Sequence, residues 1–266
     1  MECKEKAVFF SKFLDLRKLS DYKRVYLGSE FCENLLPQIS LVEDVISECS
    51  RQHLGYTLVT PYLTNKGMEK LARLTEYFAR KEEKTEIVIN DWSVLKLLQR
   101  HPGNFEIILG RILVSQYLSK FHFSESAGQI GQRQENPGFY CLFPESLLSL
   151  LEKNNIFCLE FNIYSHLAST SGQLKEKRFK AHLHFPFAYL TTSRFCGCAG
   201  GYRSLIHNKS DECAKECEKS IAVIKNKNLN KSIFVKGNTY FIRQDESENG
   251  PDYLPDRIVY NDFLAY

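Results

Sequence analysis

The fold class is decided by four short apolar runs, which are RVYL at 24–27, YTLVT at 56–60, EIVI at 86–89 and FEIIL at 105–109. Each run stops at a turn or polar residue, which is typical of a strand. Apolar residues recur at helical spacing between the runs, and we expect helices over Leu41–Leu54, Asn65–Lys81 and Trp92–Arg100. This alternation predicts an α/β fold with a parallel sheet, either a barrel or a doubly wound layer. We expect a parallel (β/α) barrel-like domain.

The rest of the chain carries weaker patterns. We expect a polar loop over Ser115–Asn136, a helix over Pro144–Lys153, a strand over Ile156–Ile163, a polar connection over Leu167–Lys177 and a strand over His182–Thr191. A cysteine-rich segment follows at 194–219, and short β runs at 230–260 predict a small C-terminal β cap. No low-complexity segment interrupts the chain, so residues 1–266 are expected to form a single domain.

The composition is that of a globular protein, with 43% apolar and 13% aromatic residues. The 35 basic and 32 acidic residues give a net charge of +3, which does not favour a dedicated nucleic-acid or membrane-surface binder. No window approaches the roughly 20 continuous apolar residues of a membrane span. The first residues include Glu2 and Glu5 and lack the pattern of a signal peptide, so we expect a cytoplasmic protein.

The chain has nine cysteines, which metal binding explains better than disulfides in a reducing compartment. Cys213 and Cys217 stand four residues apart among good helix formers, so we expect both sulfurs on one helical face. Cys196 and Cys198 lie in a Gly-rich turn, where backbone amides can approach a sulfur. Soft thiolates without clustered histidines favour an iron–sulfur cluster or structural zinc, and unligated core cysteines are the third alternative. We interpret the others as a surface thiol and core residues, which are Cys3, Cys49, Cys141 and Cys158.

Several motifs follow one another in an order that resembles the collagenase-like peptidase family U-32. They are Val25–Cys32 (VYLGSEFC), Glu86–Trp92 (EIVINDW), Ile108–Arg111 (ILGR), Thr192–Cys196 (TSRFC), Asp211–Cys217 (DECAKEC) and Lys236–Thr239 (KGNT). The resemblance covers nearly the whole chain. Within the family, the chain is most similar to the short, single-domain branch that includes the anaerobic ubiquinone-biosynthesis iron–sulfur proteins.

The resemblance implies a 4Fe–4S cluster on four cysteines. In that branch one ligand follows the first Tyr-Leu-Gly strand, one follows an arginine in the middle of the chain, and two form a C-x-x-x-C pair. The matching positions here are Cys32, Cys196, Cys213 and Cys217, with Cys198 as the alternative to Cys196. The gap between the middle cysteine and the pair is longer than in the ubiquinone branch. Zinc is the alternative metal.

The resemblance also implies oxygen-independent hydroxylation by an enzyme or enzyme subunit whose heterodimer partner is a related family member. The implied substrate is a small aromatic or isoprenoid-quinone precursor, or RNA, which the near-neutral charge does not favour. A true peptidase or collagenase, as the family name suggests, is not expected. The chain has no Gly-x-Ser-x-Gly, no His-Glu-x-x-His and no obvious Cys/His nucleophile pair. The alternative from a different class is a non-catalytic binding or assembly protein, in which the metal only holds the C-terminal segment in place.

Polar residues at the predicted strand ends are candidates for substrate binding, because ligands bind at the C-terminal ends of barrel strands. Arg111 can clamp a carboxylate or form an ordinary surface salt bridge. Asn90 and Asp91 can orient a hydroxyl or carbonyl group, or they can cap the following helix. Glu160 falls at the same predicted rim. No metal site is predicted for the two histidines at 182 and 184.

Overall fold

The apolar runs predicted as strands form neighbouring strands of a closed barrel in the computed structural model. The structure describes residues 3–10, 19–81, 83–118, 143–162, 164–194, 196, 213–219, 221–225, 232–244 and 254–261. The barrel strands are β1 (Glu5–Phe9), β2 (Arg24–Gly28), β3 (Gly55–Val59), β4 (Thr85–Ile89), β5 (Phe105–Leu109), β6 (Cys158–Phe161), β7 (Lys180–Phe185) and β12 (Arg257–Tyr260). All eight are parallel, in the order β1-β12-β7-β6-β5-β4-β3-β2. The predicted parallel barrel is confirmed.

Helices connect the barrel strands in the described part of the chain. They are α1 (Ile39–Arg51), α2 (Asn65–Ala79), α3 (Trp92–Leu98), α4 (Arg111–Leu118), α5 (Glu145–Lys153) and α6 (Tyr164–Glu176). In α2 the buried residues Leu71, Leu74 and Phe78 recur at helical spacing and pack into the main core. Thr64 is the N-cap of this helix, and its side chain accepts a hydrogen bond from the Gly67 amide. No helix in these ranges is both long and apolar enough to cross a membrane.

A second sheet, antiparallel and four-stranded, is attached to the barrel. It contains β8 (Phe187–Thr192), β9 (Ala222–Ile224), β10 (Ile233–Lys236) and β11 (Thr239–Arg243), in the order β8-β11-β10-β9. Because β8 follows β7 after the single residue Pro186, this sheet continues from the C-terminal end of a barrel strand. Phe31 from the barrel rim packs with Phe187 and Phe241 of the sheet in a small core of their own.

Two predicted elements differ from the structure around β7. The segment Leu167–Lys177 is predicted to be a polar connection, but most of it belongs to α6. This helix buries Leu167 and Leu174, which are seven residues apart and lie on the same face. His182–Thr191 was expected to be one strand, but Pro186 divides it between β7 and β8, which belong to different sheets. Proline has no N–H to donate to a strand ladder, which explains the break.

Two further boundaries need correction. The loop predicted over Ser115–Asn136 begins inside α4, while residues 119–142 lie outside the described ranges. The cap predicted over 230–260 contains β10 and β11, but β12 pairs with β1 and β7 in the barrel. The partner of β12 at the start of the chain, β1, was not predicted. A five-residue strand of which only three residues are buried gives a weak pattern.

The C-terminal ends of β2, β4 and β5 meet at one rim of the barrel, as predicted. Asn90, directly after β4, links the ends of β3 and β5, because its Nδ2 donates to Thr60 O at 3.0 Å and its Oδ1 accepts from Ile112 N at 3.2 Å. A Cβ at Gly110 would lie 2.2 Å from Asn90 Oδ1, so this glycine leaves room for the bridge. At the end of β2, Gly28 has φ +131° and a Cβ there would lie 2.2 Å from Val59 O.

Gly28→Ala should therefore destabilise the protein by at least about 2 kcal/mol, through backbone strain and a clash with backbone that cannot move away. Gly172→Ala is the matched control, because Gly172 lies in α6 with nothing within 4 Å of the new Cβ. It should stabilise the protein by about 0.5–1 kcal/mol, as expected for glycine in a helix. Urea unfolding measures both. A Gly28→Ala midpoint equal to that of the wild type would contradict the rim geometry.

Candidate functional site

Four of the predicted cysteines line one cavity between the barrel rim and the second sheet. Cys32, Cys196, Cys213 and Cys217 lie in its wall, and its volume is about 410 Å³. Cys32 comes from the segment after β2, whereas the other three come from the region between β8 and β9. The remaining candidate, Cys198, lies outside the described residues. The cysteines at 3, 49 and 158 are not in the wall of this cavity, and Cys141 is also outside the described residues.

Local backbone structure positions Cys32 and the C-x-x-x-C pair. Ser29 Oγ accepts a hydrogen bond from Cys32 N at 3.2 Å, and Cys32 precedes a short 3₁₀ turn. The predicted helix over Cys213 and Cys217 is wrong. Lys215 has φ +59°, and only Glu216–Glu218 forms a 3₁₀ turn. Both residues nevertheless line the same cavity, and a tight turn connects them instead of a helix.

The turn between β10 and β11 holds the cysteine segment against the rim. Gly237 has φ +63°, and a Cβ there would lie 3.4 Å from Cys217 Sγ and 3.9 Å from Cys196 Sγ. The neighbouring Asn238 Nδ2 donates to Phe31 O at 2.7 Å and to Ser193 O at 2.6 Å. One amide group therefore joins the residue before Cys32 to the segment that leads to Cys196. Gly237 and Asn238 belong to one of the motifs noted in the sequence, KGNT.

The cavity disfavours bare thiolates. Burial raises the pKa of the Cys32 thiol, and negative charge on Cys213 or Cys196 raises it further. Burial also lowers the pKa of the Lys236 ammonium, although charge on Cys217 and Glu218 opposes that shift. Several thiolates in one half-buried space repel one another unless a cation lies between them. The donor set is therefore chemically suited to a positively charged, thiophilic centre.

Arg111, predicted to bind a substrate carboxylate, is fully buried in an ion pair within the protein. Its Nε and Nη2 each donate to Glu30 at 2.7 Å, and its Nη1 donates to Phe187 O at 3.0 Å. The guanidinium also lies over the rings of Phe31 and Tyr189, at 5.3 and 5.5 Å. The alternative of a surface salt bridge is wrong, because neither charged group is exposed. The carboxylate that Arg111 binds in the described residues is Glu30, and a role towards substrate stays a prediction.

Glu160 lies inside the barrel mouth beside a histidine. Its Oε2 is 3.0 Å from His184 Nε2, and both residues are fully buried. His184 Nε2 is also 3.9 Å from Glu30 Oε1, so the three side chains form one cluster. Burial raises the pKa of Glu160 to about 8 and lowers that of His184 to about 3. Two neutral partners sharing a hydrogen bond are therefore favoured over an ion pair at neutral pH.

Asn90 and Asp91 lie at the rim but not in the wall of the cysteine cavity. Asn90 is committed to the bridge between strand ends described above. Asp91 Oδ1 accepts from Ser93 N at 2.8 Å, and Oδ2 accepts from Leu63 N at 3.0 Å. The helix-capping alternative thus accounts for Oδ1, which caps α3, whereas Oδ2 binds the segment before α2. Substrate binding by either residue stays a prediction.

Sequence reasoning missed Glu30 and His184 as members of the site. Glu30 is inside the motif VYLGSEFC, two residues before Cys32, and that position was a usable signal. His184 was noted and given no role, because two histidines on one strand face are common. An exposure of 2% for Glu30 and 0% for His184 distinguishes both from ordinary surface residues.

Comparison with known proteins assigns no family to the chain. No family model matches the chain. No curated protein matches it either. Among solved structures, the chain is similar to an immunomodulatory active chitinase from Trichuris suis, with 9% identity and a TM-score of 0.29. That alignment covers 98% of this chain and 92% of the chitinase chain. The strand topology alone makes the chain an α/β protein with an eight-stranded parallel, TIM-like barrel and a small antiparallel sheet, and no family is assigned.

Glu30→Gln should destabilise the protein by about 3–5 kcal/mol, because it leaves the Arg111 guanidinium buried without its counter-charge. Glu145→Gln is the control, because Glu145 pairs with Lys177 on the surface, where its side chain is 69% exposed. This change should leave the thermal unfolding midpoint unaltered. Calorimetry compares the two. Equal small effects would show that the Arg111 pair is solvated in solution.

Proposed function

We propose that Cys32, Cys196, Cys213 and Cys217 hold a 4Fe–4S cluster in the cavity between the barrel and the second sheet. The observation that carries the proposal is the meeting of four sulfurs, from chain segments up to 185 positions apart in the numbering, in one space. No disulfide joins the described cysteines. The sequence resemblance implies the same four positions. A reducing, cytoplasmic compartment suits such a cluster.

The spacing of the sulfurs supports a cluster over a single zinc ion. Sulfurs on one tetrahedral zinc lie about 3.8 Å apart, as Zn–S bonds of about 2.3 Å require. Among the residues that the structure describes, no three cysteine sulfurs lie within 4.8 Å of one another. A cluster with iron at four corners spreads its thiolates further apart than one ion does. Zinc is kept as the alternative that metal analysis decides.

The activity we propose is oxygen-independent hydroxylation, with this chain as an enzyme or as one subunit beside a related partner. The cluster, when bound, supplies one-electron transfer. The cavity wall also includes Phe9, Phe10 and Leu27, and such apolar side chains suit the body of a small aromatic or isoprenoid-quinone precursor. The net charge of +3 makes RNA the less favoured substrate.

Peptidase activity has less support. Within the described residues, Cys158 and His182 are a close pair, with Sγ 3.1 Å from Nε2. Burial raises the pKa of the Cys158 thiol well above its usual value and lowers that of His182. A buried, protonated thiol is a poor nucleophile. The pair therefore belongs to the barrel interior and does not suit attack on a peptide.

A second candidate is a binding or assembly protein whose metal only staples the cysteine segment to the barrel. The observation that favours it is the packing of that segment against the barrel. Cys217 is only 4% exposed, and the nearby Asn238 donates a hydrogen bond to Phe31 O at the barrel rim. The midpoint potential discriminates the two candidates. A potential within reach of cellular reductants supports the enzyme, and a centre that cannot be reduced supports the staple.

Metal analysis tests the identity of the centre. Protein purified without oxygen should be brown and contain about four iron and four sulfide per chain, as a 4Fe–4S cluster requires. Exposure to air should bleach the absorbance. The measurement is visible absorbance with iron, zinc and sulfide determination. Stoichiometric zinc without sulfide, after growth with sufficient iron, would overturn the cluster and leave the zinc alternative.

Single Cys→Ser variants test the ligands. Loss of Cys32, Cys213 or Cys217 should abolish the cluster absorbance, because each sulfur lies in the cavity wall and the described residues offer no fifth. Cys196→Ser should be more damaging than Cys198→Ser, which should keep most of the cluster. Damaging variants should also make residues 194–219 more sensitive to proteolysis, because metal binding and local folding are coupled.

Cys3→Ser is the control for this series. Cys3 is partly exposed, precedes the first barrel strand and lies outside the cavity wall. Its variant should keep the full iron content. Full cluster retention in Cys32→Ser would show that the other cysteines suffice, and the ligand assignment would then be wrong.

A further inference from the structure

The cluster of Glu30, Glu160 and His184 lies in the barrel mouth, at the end where barrels bind ligands. Glu30 follows β2 by two residues, Glu160 is in β6 and His184 is in β7. Their exposures are 2%, 0% and 0%, and each offers a ligand atom within 4.8 Å of the other two. Three separate elements thus bring two carboxylates and one imidazole to one buried point.

The distances within this cluster match ligands on one metal ion. Carboxylate oxygen and imidazole nitrogen bind first-row metals at about 2.0–2.2 Å, so neighbouring ligands lie about 3 Å apart and opposite ones about 4.2 Å apart. Glu160 Oε2 is 3.0 Å from His184 Nε2, and Glu30 Oε1 is 3.9 Å from the same nitrogen. Both distances lie between the value for neighbouring ligands and the value for opposite ligands.

The cluster also contains polar atoms without hydrogen-bond partners. Glu160 Oε1 and His184 Nδ1 are buried, and neither has a partner among the described residues. Buried polar atoms are nearly always bonded, so these two are exceptions that need an explanation. A cation on Glu160 would satisfy that carboxylate oxygen. It would leave His184 Nδ1 unexplained, because Nδ1 is on the other side of the imidazole ring from Nε2.

Arg111 is compatible with an ion on Glu30. A carboxylate has about four lone-pair positions, and Arg111 uses two of them through its bonds at 2.7 Å. Ligating carboxylates are commonly held by such outer hydrogen bonds. Glu30 lines the open cavity, which gives an ion a route to the cluster.

We propose that Glu30, Glu160 and His184 bind one divalent first-row transition-metal ion, at a site distinct from the cysteines. Two oxygens and one nitrogen are hard to borderline donors, which favour Mn²⁺ or Fe²⁺, whereas the soft cysteine set does not select Mn²⁺. Three protein ligands leave coordination positions open for water or a substrate oxygen. The proposal does not depend on whether the cysteines hold a cluster or zinc.

Titration with MnCl₂ tests this site. Chelator-treated wild-type protein should bind one Mn²⁺ per chain, seen as loss of the free-ion signal in electron paramagnetic resonance. Glu160→Gln and His184→Gln should each weaken binding by at least about tenfold, since each removes a ligand. His182→Gln is the matched control, because His182 lies on the same strand and contacts Tyr26 and Cys158 instead. It should bind Mn²⁺ like the wild type, and so should Cys213→Ser.

A measurement on the wild type alone keeps the test decisive if a variant does not fold. Pulsed electron paramagnetic resonance of bound Mn²⁺ should show coupling to one imidazole nitrogen. Absence of saturable Mn²⁺ binding, or bound Mn²⁺ without nitrogen coupling, would overturn the site. Equal affinity in folded Glu160→Gln would do the same. Loss of binding in Cys213→Ser but not in Glu160→Gln would place the ion in the cysteine cavity.

Discussion

The buried ion pair between Arg111 and Glu30 is the constraint on which the mouth of the barrel depends. Moving two opposite charges out of water is costly, and the pair is tolerated only when its remaining donors are satisfied. Here the guanidinium bonds both oxygens of Glu30 and the Phe187 carbonyl, and two aromatic rings cover its faces. The pair thereby joins the ends of β2 and β5 to the start of β8. Any arrangement that moved one of these segments would leave a charge buried alone.

The geometry of the cysteine cavity depends on the same ion pair between Arg111 and Glu30. The short segment from Gly28 to Cys32 is held at its start by the left-handed glycine and at its middle by the ion pair of Glu30. On the other side, Asn238 ties the β10–β11 turn to Phe31, within the same segment. The sulfurs therefore depend on long-range contacts between barrel and sheet. Local secondary structure contributes only two short 3₁₀ turns, one after Cys32 and one around Cys217.

The sequence predicted the parallel barrel correctly and singled out four cysteines that line one cavity, but it predicted the surrounding detail poorly. Strands such as β4 are apolar throughout, and helices such as α2 have a clear apolar stripe, so their periodicity is readable. Helix α6 has few apolar residues and was missed. The proximity of Cys213 and Cys217 was predicted from helical spacing, whereas a left-handed Lys215 produces it. Buried charges such as Glu30 have no periodic signature, because their partners are distant in sequence.

The mouth of the barrel contains two donor sets of opposite chemical character that meet at one segment. Glu30 and Cys32 are two residues apart, yet the first joins an oxygen and nitrogen cluster and the second joins the thiol-lined cavity. Soft thiolates and hard carboxylates select different metals, so the chemistry of the donors would keep two centres from exchanging ions. A shift of that segment would disturb both sets together. The rigidity that the buried ion pair imposes is therefore the property that lets one short segment serve two sites.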